Sequence, residues 1–459
     1  MSEAESNATT GPWHPRGRLL KVLGVWFGIA AAVGNTIAAG IVRTPGFIAH
    51  WLPNPWLFLG VWVAGGAYAL VGAPALAELG AAIPRSGGQY NYSRRGIGEY
   101  AGFVVGWSDW LSTSGSVAAG ALVIGEYSGA LIAGLSGHTK SIALCVTLLF
   151  GLLQWRGIRW GSGIQLVTGA AKSVAFVVLV LACFLLGGSA HRAAAAAPAP
   201  EGLAAGWLLV VPFMLALQQV IFTVDGWDGV IYFGEEVKNP GKDIPRAIFG
   251  SVLSIMGIYL LLNIAVLYVL PMREVAGSDF ALGTASQRVF GRLGDPIFRS
   301  IMVISLASGL NACLLMATRV LHAMACDRLF FRTAGAVNRG GTPELSLLLT
   351  TAASAAFVIG SFDRVIAMLA FFFVANYSLS FISLFILRRR EPGLVRPYRA
   401  WGYPWSTGIA LAGSVCFLIG AMITDRKNTP YALGLLVLSY PVFRLQTLAG
   451  REKAPREAG

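Results

Sequence analysis

"AVGNTIAAGIVRTPG", residues 32–46, lies inside a long apolar run yet reads poorly as one continuous helix. Gly34, Asn35 and Thr36, then Gly40 and Pro45, are weak or unfavourable helix formers. The flanking residues are apolar enough to cross a bilayer, where every unpaired backbone group is costly. A break in such a segment persists only where it lines a polar cavity. The stretch therefore predicts an interrupted membrane helix with a polar purpose.

The rest of the chain fits that setting. Of 459 residues, 55% are hydrophobic and 12% charged, against about 25% charged in an ordinary soluble domain. Apolar runs recur along nearly the whole length, each long enough to span about 30 Å of hydrocarbon. Reading between the polar breaks places twelve spans at 22–50, 55–80, 99–133, 139–155, 162–188, 207–235, 246–270, 297–325, 344–360, 365–387, 406–424 and 430–447. The first run is too long for a signal-peptide core, and no small-residue cleavage site follows it. Residues 1–21 and 448–459 are expected as cytoplasmic tails around a single transmembrane domain at 22–447.

The net charge of +13 is a matter of topology. With both termini inside, inner segments hold about 22 Lys/Arg and outer loops about 8, the positive-inside bias. The densest cluster, "RRREPGLVRPYRAWGYP" (388–404), then faces the cytoplasm and anionic lipid. No nucleic-acid partner is implied; the expected location is the cell membrane, in contact with the lipid bilayer. The cysteines Cys145, Cys183, Cys313, Cys326 and Cys416 have no metal-site spacing and read as small buried hydrophobes. No catalytic residue, metal or cofactor is expected, because a P-loop, a zinc motif and a nucleophile–base pair are all missing.

A second interruption answers the first. In "QQVIFTVDGWDGVIYFGEE" (218–236), Asp225, Gly226, Asp228 and Gly229 break an apolar run at mid-depth. The two breaks, about 190 residues apart, open the first and sixth spans. That predicts an all-α membrane protein with a 5+5 inverted repeat (about 22–188 and 207–387) and discontinuous helices 1 and 6, plus two extra helices at about 406–447. The outer segment "SDFALGTASQRVF" (278–290) has helical character and is placed over an outer entrance.

Broken helices carry their own chemistry. The amides of Ala38, Ala39, Gly40 and Ile41 would begin a half-helix and attract a carboxylate. The carbonyls of Phe222, Thr223 and Asp225 would end another and accept an ammonium. Together they describe an α-amino acid, with Asn35, Thr36, Ile37, Val224, Gly226 and Trp227 completing the expected substrate site. The bland alternative is that Gly and Pro merely kink these helices. Phe222 and Trp227 read as core-packing residues; Asp225 and Asp228 bind a cationic side chain or, preferably, cap the half-helices. Glu126, Asp109, Asn311 and Asn376 read as interior polar groups, and Arg319 as the partner of an inner-loop carboxylate.

These motifs resemble the amino acid–polyamine–organocation transporter superfamily across essentially the whole chain. "GNTIAAGIVRTPG" (34–46) is similar to its first-span motif, and "ELGAAIPRSGGQYNY" (78–92) to the loop after its second span. "FTVDGWDGVIYFGEEVKNPGKDIPRAI" (222–248) and "NACLLMATRVLHAMACDRLF" with "GTPELSLLL" (311–330, 341–349) continue the series. "RPYRAWGYP" (396–404) looks like its L-type amino acid transporter branch. The resemblance implies a LeuT-like fold and a secondary active amino acid permease that works by alternating access, with neutral substrates, by proton coupling or exchange. It also implies an aromatic gate over the substrate at Phe222 and Trp227, in place of core packing. The alternatives are a cationic amino acid or polyamine transporter, or a sensor that binds without transport. The family's Gly-Ser-Gly is Ala38-Ala39-Gly40 here, so the serine hydroxyl implied to hold the substrate carboxylate is missing. The loop after span three, "GLSGHTK" (134–140), lacks the cysteine that joins an accessory subunit in that branch, so no disulfide-linked partner is expected.

Lys172, about ten residues into span five, is costly at that depth, about 2.5–3.5 kcal/mol on insertion scales. It either snorkels to the cytoplasmic face or is a buried titratable amine serving coupling. The resemblance implies the second, since sodium-independent members carry a lysine where sodium-coupled relatives hold Na⁺.

Overall fold

The computed structural model describes residues 18–37, 40–195, 209–278, 280–360, 362–424 and 429–452. Among them the secondary structure is helical, with isolated β-bridges and no strand. Helices satisfy their backbone internally, which suits residues this apolar.

The opening run forms α1 (Val25–Thr36) and α2 (Gly40–Trp51), bent by 55° at the break between them. Helix α3 (Pro55–Ala82) starts sharply: the Asn54 side chain accepts from the N–H groups of Trp56 and Leu57, and Pro55 takes the first helical position. The short α4 (Gln89–Gly96) and the long α5 (Glu99–Leu131) follow, then α6 (Thr139–Trp155), α7 (Ile158–Leu186) and α8 (Gly188–Ala195). The second half runs through α9 (Val210–Val224), α10 (Pro240–Val269), α11 (Met272–Val275), α12 (Ala281–Phe290), α13 (Gly294–Cys326), α14 (Glu344–Ile359), α15 (Phe362–Arg390), α16 (Trp405–Thr424) and α17 (Thr429–Glu452).

Each expected span except the sixth falls largely on one of these helices or on the bent pair. Among the described residues, six helical segments are long and apolar enough to cross a membrane, and a seventh is if α1 and α2 count as one span. The sixth expected span, 207–235, needs correction. Its second half is no α-helix: after α9 the chain turns at 225–228 and makes only a 3-10 turn, Gly229–Tyr232. Two glycines and two aspartates within five residues supply too little helix propensity there.

Helices α5 and α13 form the most extensive packed pair, and α1 lies against α7, α10 and α13. Helix α13 is buried along nearly its whole length, whereas α7 and α16 expose many apolar side chains. The outer segment does form a helix: α12 packs against α2, α7, α10 and α13. At the basic end, Glu78 of α3 is buried and gathers Arg388, Arg396 and the Ala400 N–H, tying "RPYRAWGYP" to the bundle.

Candidate functional site

Helix α1 ends at Thr36, leaving its last carbonyls without intrahelical donors. Side chains from three other helices supply them. Lys172 of α7 donates to the carbonyls of Val33 and Gly34 at 3.3 and 3.0 Å. The Tyr259 hydroxyl of α10 donates to Thr36 O at 2.9 Å, and Ser305 of α13 to Ile37 O at 2.8 Å. Lys172 is fully buried, so it does not snorkel to a face. A cation at this end also meets the negative pole of the helix. The break is thus held by a set of donors that the sequence disperses over 130 residues or more from it.

Ala38 and Ala39 lie outside the described residues. Gly40, opening α2, packs so closely on α9 that an added Cβ would sit 3.2 Å from Thr223 Cγ2. Ile41 is fully buried. One turn on, the Thr44 and Thr223 hydroxyls meet at 2.6 Å and join the two broken segments.

Helix α9 gives way at Asp225, whose ψ of 147° leaves the helical region. Gly226 then adopts a φ of +98°, with Asn35 and Thr36 against its bare face. Of the expected ammonium-accepting carbonyls, Phe222 O accepts the Asp225 N–H, and Thr223 O lies 3.1 Å from the Tyr259 hydroxyl. One hydroxyl proton serves only one of the two carbonyls near it, and a carbonyl oxygen can accept a second donor. Phe222 is half-buried, Val224 is buried, and Trp227 stacks on Tyr377 with ring centroids 5.6 Å apart.

Between the two breaks and α5, α13 and α15 is a small cavity of about 10 Å³, room for about one water molecule, lined by several polar side chains. Asn35 and Gly226 line it, together with Asp109, Asp225, Asp228 and Asn376. Asn35 Oδ1 accepts from Cys313 Sγ at 2.9 Å, while buried Thr36 Oγ1 has no partner. Asp228 does not cap the turn that it begins; it accepts from Gln89 Nε2 at 2.9 Å and from the Tyr377 hydroxyl at 3.0 Å. Asp109 accepts from the Tyr232 hydroxyl at 3.1 Å and from Thr113 at 3.3 Å.

Several readings of single residues change. Glu126 is exposed, not interior, because it faces away from the α5–α13 contact. Cys145 and Cys416 are exposed on their helices, whereas Cys183 and Cys313 are buried. Neutral substrates were expected because no third charge partner stood out, yet Asp109 and Asp228 share the cavity with Asp225. Asn311 lies outside it, donating to Gln165 and accepting from Gln154. Arg319 does meet a loop carboxylate, forming a buried two-pronged contact with Glu236 at 3.1 and 3.0 Å. No local pattern marks Tyr259 or Ser305, which lie outside every motif, and Thr44 lies in the first-span motif without an assigned role.

Apolar helices of membrane length around a polar interior define an integral, multi-pass membrane protein. The chain belongs to the amino acid permease family, whose model matches residues 23–440. It is similar to the serine/threonine exchanger SteT of Bacillus subtilis, at 29% identity over 93% of this chain and 96% of that protein. It is also similar to Asc-type amino acid transporter 1 of Mus musculus, at 28% identity over 83% of this chain and 73% of the other. Large neutral amino acids transporter small subunit 2 of Homo sapiens is 25% identical over 86% of this chain and 75% of its own.

Proposed function

We propose that this protein is a secondary transporter of neutral amino acids that works by alternating access, through exchange or proton coupling. The observation that carries the reading is the meeting of the two breaks. Asn35 and Asp225 line one cavity, the Thr44 and Thr223 hydroxyls join α2 to α9, and the Tyr259 hydroxyl lies within 3.1 Å of both Thr36 O and Thr223 O. A ligand at the breaks would touch both segments at once, so that binding and a change of their relative position are coupled. In this reading residues 35–41 and 222–227 form the substrate site, and Lys172 is the residue that would couple it to protons.

The same reading assigns the chain twelve spans in the cell membrane, both termini cytoplasmic, with five-helix repeats at about 22–188 and 207–387. Correspondence of the bent α1–α2 pair with the interrupted segment after α9 supports it. The relatives named for serine/threonine exchange and for large neutral amino acids support the neutral class. A second reading, cationic amino acids or polyamines, draws on Asp225 beside Asp109 and Asp228.

A thermal-shift panel of the twenty amino acids and putrescine on purified protein tests the choice. A ligand at 100 times its Kd stabilises by about 2.7 kcal/mol. Neutral amino acids should raise Tm and putrescine, which has no carboxylate, should not. A shift with putrescine alone would replace the neutral reading by the cationic one.

A further inference from the structure

Asp109 on α5 and Asn376 on α15 line the cavity from two helices that pack against each other, at 1% and 2% exposure. Each is fixed by one half of its side chain and leaves the other half unpaired. Asp109 Oδ1 holds the Tyr232 and Thr113 hydroxyls, and its Oδ2 has no partner. Asn376 Oδ1 takes the Ser108 hydroxyl at 3.0 Å, and its Nδ2 has no partner. Ser108 is the neighbour of Asp109 in the chain, so both groups are anchored on the same turn of α5. One buried acceptor and one buried donor remain unmet within one cavity, a costly arrangement in an interior.

We propose that Asp109 and Asn376 form a side-chain subsite that recognises a hydroxyl group on the transported amino acid. The inference rests on the reading that an amino acid occupies the two breaks, whose Asn35 and Asp225 line the same cavity. A hydroxyl donates one hydrogen bond and accepts others, so it can satisfy Oδ2 and Nδ2 together. An aliphatic side chain satisfies neither. An ammonium brings three donors and no acceptor, leaving the Asn376 N–H unmet. Of the two other carboxylates in the cavity, Asp228 already accepts from Gln89 and Tyr377 and does not call for a cation, and Asp225 belongs to the second break itself. The cavity is also confined, which suits a short side chain.

The experiment is competition against labelled L-serine uptake in proteoliposomes of the wild-type protein, using pairs that differ only in the hydroxyl. Serine should compete about tenfold or more better than alanine, and threonine better than its isostere valine by a similar factor, since a site built around hydrogen bonds rejects analogues that lack them. In Asp109→Ala and in Asn376→Ala the serine-to-alanine ratio should fall toward one. Equal competition by serine and alanine in the wild type would overturn the subsite, with water then the group that satisfies both atoms, and would leave the amino acid reading intact. Stronger competition by lysine or putrescine than by serine would also overturn it, in favour of a cation. Failure of every amino acid to be taken up or to bind would overturn both readings. If neither variant folds, the wild-type ratios decide alone.

Discussion

The ε-amino group of Lys172 lies 3.0 Å from the carbonyl oxygen of Gly34. This contact crosses from α7 to the end of α1 and supplies a positive charge where the broken helix presents its negative pole. In the proposed reading the amine holds the half-helix when charged and loosens it when neutral, a contact with two states biased by a proton.

Lys172→Ala should flatten the pH dependence of uptake between about pH 5 and 8 and slow net flux, because the cap can no longer respond to protons. Lys172→Arg should keep the cap and remain in one state, since arginine does not deprotonate. Initial uptake rates in proteoliposomes across that range check both. A wild-type profile in Lys172→Ala would make the lysine a structural cap only.

Gly226 and Gly40 should tolerate side chains unequally. A Cβ on Gly226 would lie 2.2 Å from Asn35 Nδ2, on backbone with φ +98°, whereas one on Gly40 would meet Thr223 at 3.2 Å. Gly226→Ala therefore strains the backbone by about 1–3 kcal/mol and pushes Asn35 from the cavity. Amino acid binding, read as ligand-induced Tm shift, should be lost in Gly226→Ala and weakened in Gly40→Ala. The bulkier Gly40→Val should abolish binding while the protein stays monodisperse.

The Arg319–Glu236 pair, at 1% and 0% side-chain exposure, ties α13 to the segment after the second break. Removing one partner leaves a buried, unpaired charge and costs about 3–5 kcal/mol. Arg319→Met and Glu236→Gln should each lower Tm in detergent substantially. The Arg319→Met/Glu236→Met double variant should lose less than the sum of the single Arg319→Met and Glu236→Met losses. Additive losses would show that the two charges act independently.

The helical class and the approximate extent of most helices were legible because long apolar runs leave few alternatives in a bilayer. Both breaks were legible too, since Gly, Asn and Asp inside such runs contradict their surroundings. What caps the breaks was not. Tyr259 and Ser305 stand 223 and 268 residues from their acceptors Thr36 and Ile37, and no local pattern marks them. Asp109 was visible as an interior carboxylate within "GWSDWLSTSGS", but its place beside Asp225 depends on how α5 packs against α13 and α15. The 3-10 turn at Gly229–Tyr232 escaped for the opposite reason. Val230, Ile231 and Tyr232 are apolar enough to continue a helix, yet they are spent on burying the turn in the core.

The central claim is that ligand held between the two breaks is carried across the membrane. Proteoliposomes containing the purified protein, either empty or preloaded with unlabelled L-serine, are given labelled L-serine outside and the initial uptake is measured. The account predicts uptake above protein-free liposomes, faster in the preloaded vesicles if exchange dominates and faster with an inward proton gradient if coupling does. Serine binding by the folded protein with no uptake under any of these conditions would contradict it, and would make the molecule a sensor.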